Sequence, residues 1–316
     1  MAGTVSVSFR PATHDDVAFA ASVVAGIDPN PETPKEILQR WIDTEKTCDV
    51  RRFLVAVGGV DSGWLSLFRP HDEDPKAVHL NLLLPPDTPA AAIAEAIAFG
   101  EEQGRAMSAR RLIFNAWTSR SAMISALEAA GWKGERHQRY WRLTVQPNAP
   151  RLRAEREIAR ARATAAGITI TTAAEMGGEA VYPRIYELAH ATYGDISSGV
   201  EYVGSSYESW LVWAKRPGVR MDRFWVATDG GRLVGLSFLE YLENLVHTGY
   251  TGVLREYRGK GIARALKLET LVQAADLGVD AVETDNDFEN APILYLNADL
   301  GYQEVMGQVE LHKLLG

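Results

Sequence analysis

The chain carries one element pattern twice, and this duplication restricts its possible folds more than any other feature. "RRFLVAVGGVDSGWLSLF" (51–68) and "DRFWVATDGGRLVGLSFL" (222–239) each read as a strand, a Gly-containing turn and a second strand, which is the grammar of a β-hairpin. Phe53, Val55 and Val57 alternate in the first copy, and Phe224, Val226 and Thr228 stand in the matching places of the second. Further on, "ALEAAGW" (126–132) matches "LNADLGY" (296–302), a helix end closed by Gly and an aromatic residue. Both comparisons have an offset of about 170 residues. A tandem of two related domains follows.

Between the copies lies "QPNAPRLRAEREIARARATAAG" (146–167). Its prolines break the preceding strand, and its Ala, Arg and Glu residues favour a helix with a solvated face. The expected layout is a first domain over 1–146, a linker helix over 147–167 and a second domain over 168–316. Within each copy the patterning predicts two helical stretches first, at 15–26 and 34–46, then at 178–193 and 205–215. Strands at 51–57, 63–70 and 77–84, a helix at 88–106, a strand at 110–117, a helix at 119–130 and terminal strands to 145 complete the first copy. The second runs through strands 222–228, 233–242 and 246–253, a helix at 261–277, a strand at 279–285, a helix at 290–299 and strands to 314. The fold class is α/β, two tandem domains with a mixed, mostly antiparallel twisted sheet flanked by helices.

Length and composition narrow the function. At 316 residues the chain suits two domains. Its 41 acidic against 33 basic residues argue against a nucleic-acid partner. Cys48 is the only cysteine, so no internal disulfide can form. The start "MAGTVSVSFRPATHDD" lacks the basic and apolar regions of a secretory signal. No apolar run reaches the roughly 18 residues that span a bilayer. The expectation is a cytoplasmic protein without a membrane partner, and the oligomeric state is open.

One segment suits an anion. "VHTGYTGV" leads into "LREYRGKG", after which a helix begins. Ala265, Leu268, Leu271, Val272 and Ala275 recur at helical spacing and give that helix a buried stripe. A helix N-terminus exposes unpaired N–H groups at the positive end of its dipole. Gly259 and Gly261 let the backbone approach a ligand, while Arg258 and Lys260 add charge, as in phosphate-binding loops. A Gly-softened turn into a surface helix explains these residues equally well.

The wider context resembles the GNAT acyltransferases. "VLREYRGKGIA" is similar to their acetyl-CoA pyrophosphate loop, [Q/R]-x-x-G-x-[G/A] after a strand ending in Val, with Arg258, Gly261 and Ala263 at the fixed positions and Val253 closing the strand. "TDNDFENAPILYLNADLGY" (284–302) resembles the second signature, Asn, a helix, then Leu-Gly-aromatic. The resemblance implies acetyl-CoA as acyl donor, held by Val253, Leu254, Arg255, Arg258, Gly259, Lys260, Gly261, Ile262, Ala263 and Asn290, with no metal. It implies that strand 246–253 splays from 279–285, that free backbone groups near Val253 and Arg255 pair with pantetheine, and that the Val253 amide faces the thioester oxygen. Asn290 opens the last helix and is expected to cap it.

The sequence departs from the family where many members carry a Tyr four residues before the Gly of the second signature. Asn297 stands there; Tyr295 lies about 200° away round a helix. Asn297 is expected to position or stabilise the CoA sulfur through its NH₂ group. A base is needed for the ammonium acceptor, and the candidates are Glu240, Glu243, His247, Tyr250, Asp285 and Asn286. His247 has the best-matched side chain for the task. Trp210, Trp213, Tyr202 and Tyr207 fall where the family covers its acceptor, although core packing accounts for them as well.

The first copy lacks the loop. It reads "VHLNLLLPPDTPAAAIAEA" (78–96), where Pro85, Pro86 and Pro89 remove N–H donors and Asp87 repels phosphate. Thr88 reads as an N-cap before Pro89. The leading expectation is N-acyl transfer, most simply acetyl, to a primary amine of a small molecule by direct attack. A non-catalytic CoA-binding sensor and a protein or peptide N-acetyltransferase are the alternatives.

Overall fold

The computed structural model describes residues 6–28, 31–194 and 201–316. The chain divides into two compact units. One comprises Met1–Gln138, Ser198–Val203 and Met306–Gly316; the other comprises Arg139–Ser197 and Gly204–Val305. Each is a mixed, mostly antiparallel sheet with helices.

The first half of the chain forms β1 (Val7–Pro11), α1 (Val17–Ala25), α2 (Pro34–Thr47), β2 (Cys48–Val57), β3 (Val60–Pro70), β4 (Ala77–Leu83), α3 (Ala90–Ala106), β5 (Arg111–Trp117), α4 (Ser121–Ala129) and β6 (Lys133–Thr144). The rest forms α5 (Val145–Ala165), β7 (Ile168–Thr172), α6 (Tyr182–Tyr193), α7 (Tyr207–Ala214), β8 (Phe224–Asp229), β9 (Arg232–Tyr241), β10 (Val246–Val253), α8 (Ile262–Asp276), β11 (Ala281–Asp287), α9 (Ala291–Asp299) and β12 (Gln303–Leu314). The short opening strands β1 and β7 were not expected from the pattern. Each is only five residues long and half polar, and it is held by pairing to the next strand.

Local chemistry explains several boundaries. α2 starts at a reciprocal cap, in which the Glu36 amide donates to Thr33 Oγ1 and the Thr33 amide donates to the Glu36 carboxylate, with Pro34 in the first turn. Thr88 does not cap α3. Pro89 holds the N-cap position, and the Thr88 hydroxyl donates to the Pro85 carbonyl at 2.7 Å instead.

The two hairpins superimpose with a one-residue correction to the match drawn from sequence. Gly58–Gly59 and Gly230–Gly231 make the turns, all four with positive φ. Val55 lies opposite Gly63 and Ala227 opposite Gly235, each followed by a register shift. Val226 therefore corresponds to Leu54, not Val55. Strand side chains repeat every two residues, so a slip of one exchanges the faces.

The last strands do not stay with the half that encodes them. β12 pairs antiparallel with β5, from Gln308 opposite Trp117 to Leu314 opposite Arg111. The strand order of the first unit is β1-β2-β3-β4-β5-β12, and Val309, Leu311 and Leu315 enter its core. In the second unit the order is β6-β11-β10-β9-β8-β7, with Trp141 and Leu143 of β6 in its core. Residues 201–203 also belong to the first unit, where Tyr202 bridges Glu73.

The segment expected as a linker, α5, is part of the second unit. Val145, Ala149 and Leu152 pack with Leu268, Leu271 and Val272 of α8 in one core. α8 is consequently buried well beyond the single stripe, including Lys267, Glu269 and Thr270. The charge on α5 is used in pairs such as Arg160–Glu269 at 2.7 Å.

Leu311, 1% exposed on β12, tests the completion of the first unit by a C-terminal strand. Leu311→Ala is expected to cost about 2–4 kcal/mol in urea unfolding. A chain ending at residue 305 is expected to lose the cooperative transition of the first unit.

Candidate active site

The site of the second unit is made where two parallel strands part. The register between β10 and β11 is at His247 opposite Glu283. β10 then runs six more residues, paired to β9 on its other side as far as Val253 opposite Gly235. The Leu254 amide donates to the Val234 carbonyl at 2.9 Å. By antiparallel alternation the Val253 N–H and C=O point away from β9, into the gap.

A bulge sets which side chains face which way. Thr248 lies opposite Leu239 and Tyr250 opposite Phe238, so Gly249 is the extra residue. A Cβ at Gly249 would stand 2.2 Å from Phe238 Cε2, which makes glycine obligatory there. Simple alternation places His247 with Thr251 and Val253. The bulge transfers His247 to the face of Tyr250 and Gly252, toward α6, and leaves Thr248, Thr251 and Val253 on the face covered by α8.

On the α8 side lies the glycine loop. After a single 3-10 turn at Arg255–Tyr257, Gly259 (φ 76°) and Gly261 (φ 79°) adopt the left-handed conformation. No side chain caps α8, and a Cβ at either glycine would meet nothing within 4 Å. The loop is thus both a required glycine turn and an open helix mouth, with Arg255, Arg258 and Lys260 exposed around it. Arg258 Nε donates to the Val253 carbonyl at 3.1 Å, and the Lys260 ammonium sits 4.6 Å from the Tyr257 ring centre. The Arg255 carbonyl, expected to be free, accepts from the Arg258 amide at 3.2 Å. Leu254 and Ile262 bury their side chains in the core and present only backbone.

Several polar atoms of β10, of α9 and of the residues just after it are buried without partners. Asn297 is 0% exposed, while Tyr295 is 75% exposed, as their spacing on α9 predicts. Asn297 Nδ2 donates to Asn286 Oδ1 at 2.5 Å, and Asn297 Oδ1 is buried with no partner. The amide NH₂ expected to face the CoA sulfur is engaged by Asn286, and the Asn297 oxygen is the atom without a partner. The Thr248 and Tyr302 hydroxyls lie close together but outside hydrogen-bonding geometry, both buried. Asn290 occupies the N-cap of α9, yet its side chain makes no capping bond. These unmet groups, beside bare helix amides and the outward Val253 N–H, fit a long ligand with an anionic end and amide groups.

On the opposite face, His247 Nε2 lies 2.8 Å from Asp285 Oδ1, both part-exposed. Glu240 stands directly across from His247 on β9. Glu283 is held by Arg142 at 3.0 Å. Tyr250 is buried; its hydroxyl donates to Thr192 Oγ1 on α6 at 3.0 Å. Glu243 is exposed beyond the end of β9, and Trp210, Trp213 and Tyr207 form a packed aromatic cluster with Tyr182, Tyr186 and Phe238. Sequence reasoning named Asp285 without linking it to His247, because the partnership depends on the β10–β11 register. Thr248, Tyr302 and Lys267 are not marked by the sequence, since nothing in a single chain shows that a hydroxyl or an ammonium will be buried.

The fold and site define an α/β domain with an uncapped, glycine-led helix mouth beside a parted strand pair. Residues 220–304 match the family model of the acetyltransferase (GNAT) domain, and solved structures of that fold resemble the chain along nearly its whole length. A tandem GNAT protein from the clavulanic acid biosynthesis pathway is similar over 98% of this chain and 99% of its own, with a TM-score of 0.74 and 18% identity. A GCN5-related N-acetyltransferase from Sphaerobacter thermophilus covers 98% and 95%, with a TM-score of 0.70 and 19% identity. A GNAT-family acetyltransferase from Colwellia psychrerythraea covers 98% and 100%, at 0.61 and 12%. No curated protein sequence matches the chain. Among the described residues, no helix is long and apolar enough to cross a membrane.

Lys267 on α8 is 2% exposed, its ammonium 5.3 Å from the Tyr302 ring centre, and burial pulls its pKa down to about 8. The folded state thus disfavours the charged form. The resulting penalty is complete below pH 8, shrinks as pH rises from there, and vanishes above the unfolded value near 10.5. Lys267→Met is expected to stabilise the protein at pH 7 by roughly 1–3 kcal/mol, with the gain fading between pH 8 and 10.5 in thermal unfolding.

Proposed function

We propose that the second unit transfers an acyl group, most simply acetyl, from a CoA thioester to the primary amine of a small molecule by direct attack. The observation that carries this reading is the parting of β10 from β11 just past His247, with the uncapped glycine mouth of α8 at its end. A CoA thioester supplies an acyl carbon open to an amine and a thiolate leaving group of moderate basicity, reference pKa about 8.5.

The chain's residues divide the remaining work. The amides at Gly261, Ile262 and Ala263 bind diphosphate oxygens with Arg258 and Lys260 beside them. The outward amide of Val253 donates to the thioester oxygen, where charge builds as the amine attacks. Asn297 Oδ1 accepts from an N–H of the pantetheine arm and so orients it. His247 takes the proton of the incoming ammonium, and Asp285, 2.8 Å away, holds the imidazole in one tautomer. The Asp285 carboxylate against that imidazole favours a cationic acceptor, with Glu240 and Glu283 at the facing register positions of the neighbouring strands.

The first unit is read as having lost CoA binding. Its strands β4 and β5 also part after three registered pairs, ending at His79 opposite Ile113. Here Arg120, at the N-cap of α4, donates to the Leu82 carbonyl at 3.3 Å and the Leu84 carbonyl at 2.9 Å. A side chain thereby takes backbone acceptors that a pantetheine amide would need. Asn290 holds the equivalent N-cap in the second unit.

Gly261→Glu is expected to abolish the thermal stabilisation of the protein by CoA while the apo protein folds; unchanged CoA affinity defeats the diphosphate reading. His247→Gln is expected to lower kcat/KM with an amine acceptor by about 10²–10⁴ and to remove the acidic limb of the pH–rate profile. CoA affinity should be unchanged by that substitution. An unaltered pH profile sinks the assignment of His247 as base.

A further inference from the structure

The first unit contains a cavity of about 320 Å³ beside its parted strands, lined from β3, β4, β5, α2 and the end of α1. Two of its lining groups are buried without partners. The Trp64 indole N–H, in a residue 2% exposed, donates to nothing, and Asn115 Oδ1 accepts from nothing. Their polarities are opposite, so a single occupant must offer an acceptor to one and a donor to the other.

The charges around the cavity have the same division. Arg120 spends two N–H groups on neutral backbone carbonyls, and among the described residues no carboxylate pairs with it. Burial weakens its hold on the proton, as expected for a guanidinium lacking a counter-charge. Asp28, Glu32 and Arg40 line the cavity from the α1–α2 side, where Glu32 and Arg40 pair at 2.8 Å and Asp28 gives that end its negative character. Trp64, Val24 and Ile27 supply apolar wall. The volume is at the lower end of small-ligand sites.

We propose that this cavity binds a free α-amino acid, its carboxylate against Arg120 and the Trp64 N–H, its ammonium toward Asn115 Oδ1, Asp28 and Glu32. The complementarity needs all three features together: a negative end, a positive end and a short apolar body.

The test uses the full chain labelled with ¹⁵N-tryptophan, whose eight indole N–H resonances are assigned by Trp→Phe substitutions. Each of the twenty L-amino acids is titrated to 10 mM. At least one is expected to shift the Trp64 indole resonance saturably while that of Trp225, which donates to Gln273 at 2.9 Å in the second unit, stays fixed. Arg120→Gln is expected to weaken that binding at least tenfold. If Arg120→Gln loses its dispersed indole spectrum, Asn115→Leu replaces it with the same expected loss. A Trp64 resonance that none of the twenty moves means water alone fills the cavity and overturns the proposal. So does a shift that survives the substitution unchanged.

Discussion

The strand pair β10–β11 must separate while both strands remain anchored, and the rest of the second unit's site depends on that constraint. β10 stays registered to β9 along its length, so its backbone toward β11 is left without a strand partner once the two diverge. Unpaired peptide groups in a protein interior demand a partner. The gap at Val253, the bare first turn of α8 and the orphan carbonyl of Asn297 are three expressions of one unmet demand for hydrogen bonds. Gly249 adds the second half of the arrangement, since its bulge turns His247 onto the face opposite the helix mouth. Anion binding and proton handling thus come from the two sides of one strand.

The first unit meets the same demand in another way. It has the same parted strands, but an arginine from the following helix cap fills backbone acceptors in the gap, and prolines take the place of the glycine loop. Both units carry the positive-φ glycine after the last helix of the repeat, Gly131 and Gly301, and the same Gly-Gly hairpin turn. The strand end and the helix mouth are where the two units differ in these respects.

Neither half of the sequence completes its own sheet. The first unit takes its last strand from Met306–Gly316, and the second includes Arg139–Thr144 from the end of the first repeat. Leu311 packs with Leu65 and Leu112 in one core, Leu143 with Leu268 and Leu300 in the other. A boundary drawn from composition alone, at the proline-rich start of α5, therefore cuts neither unit where its packing ends.

Much was legible in the chain by itself. The two hairpins, the Gly-aromatic helix ends and the order of strands and helices follow from local periodicity and turn chemistry, which neighbours in sequence determine. So does the contrast between a glycine-rich and a proline-rich entry to the long helix, because φ and N–H availability are properties of the residue. What tertiary structure decided was everything set by distant pairing. The opening strands exist only through their neighbours, and the C-terminal strand chose β5. A one-residue bulge moved His247 to the other face and brought it to Asp285. The polarity of Asn297 was settled by Asn286, and the exposure of the linker helix by the apolar back of α8. Register and burial are relations between segments far apart in the chain, and no local pattern encodes them.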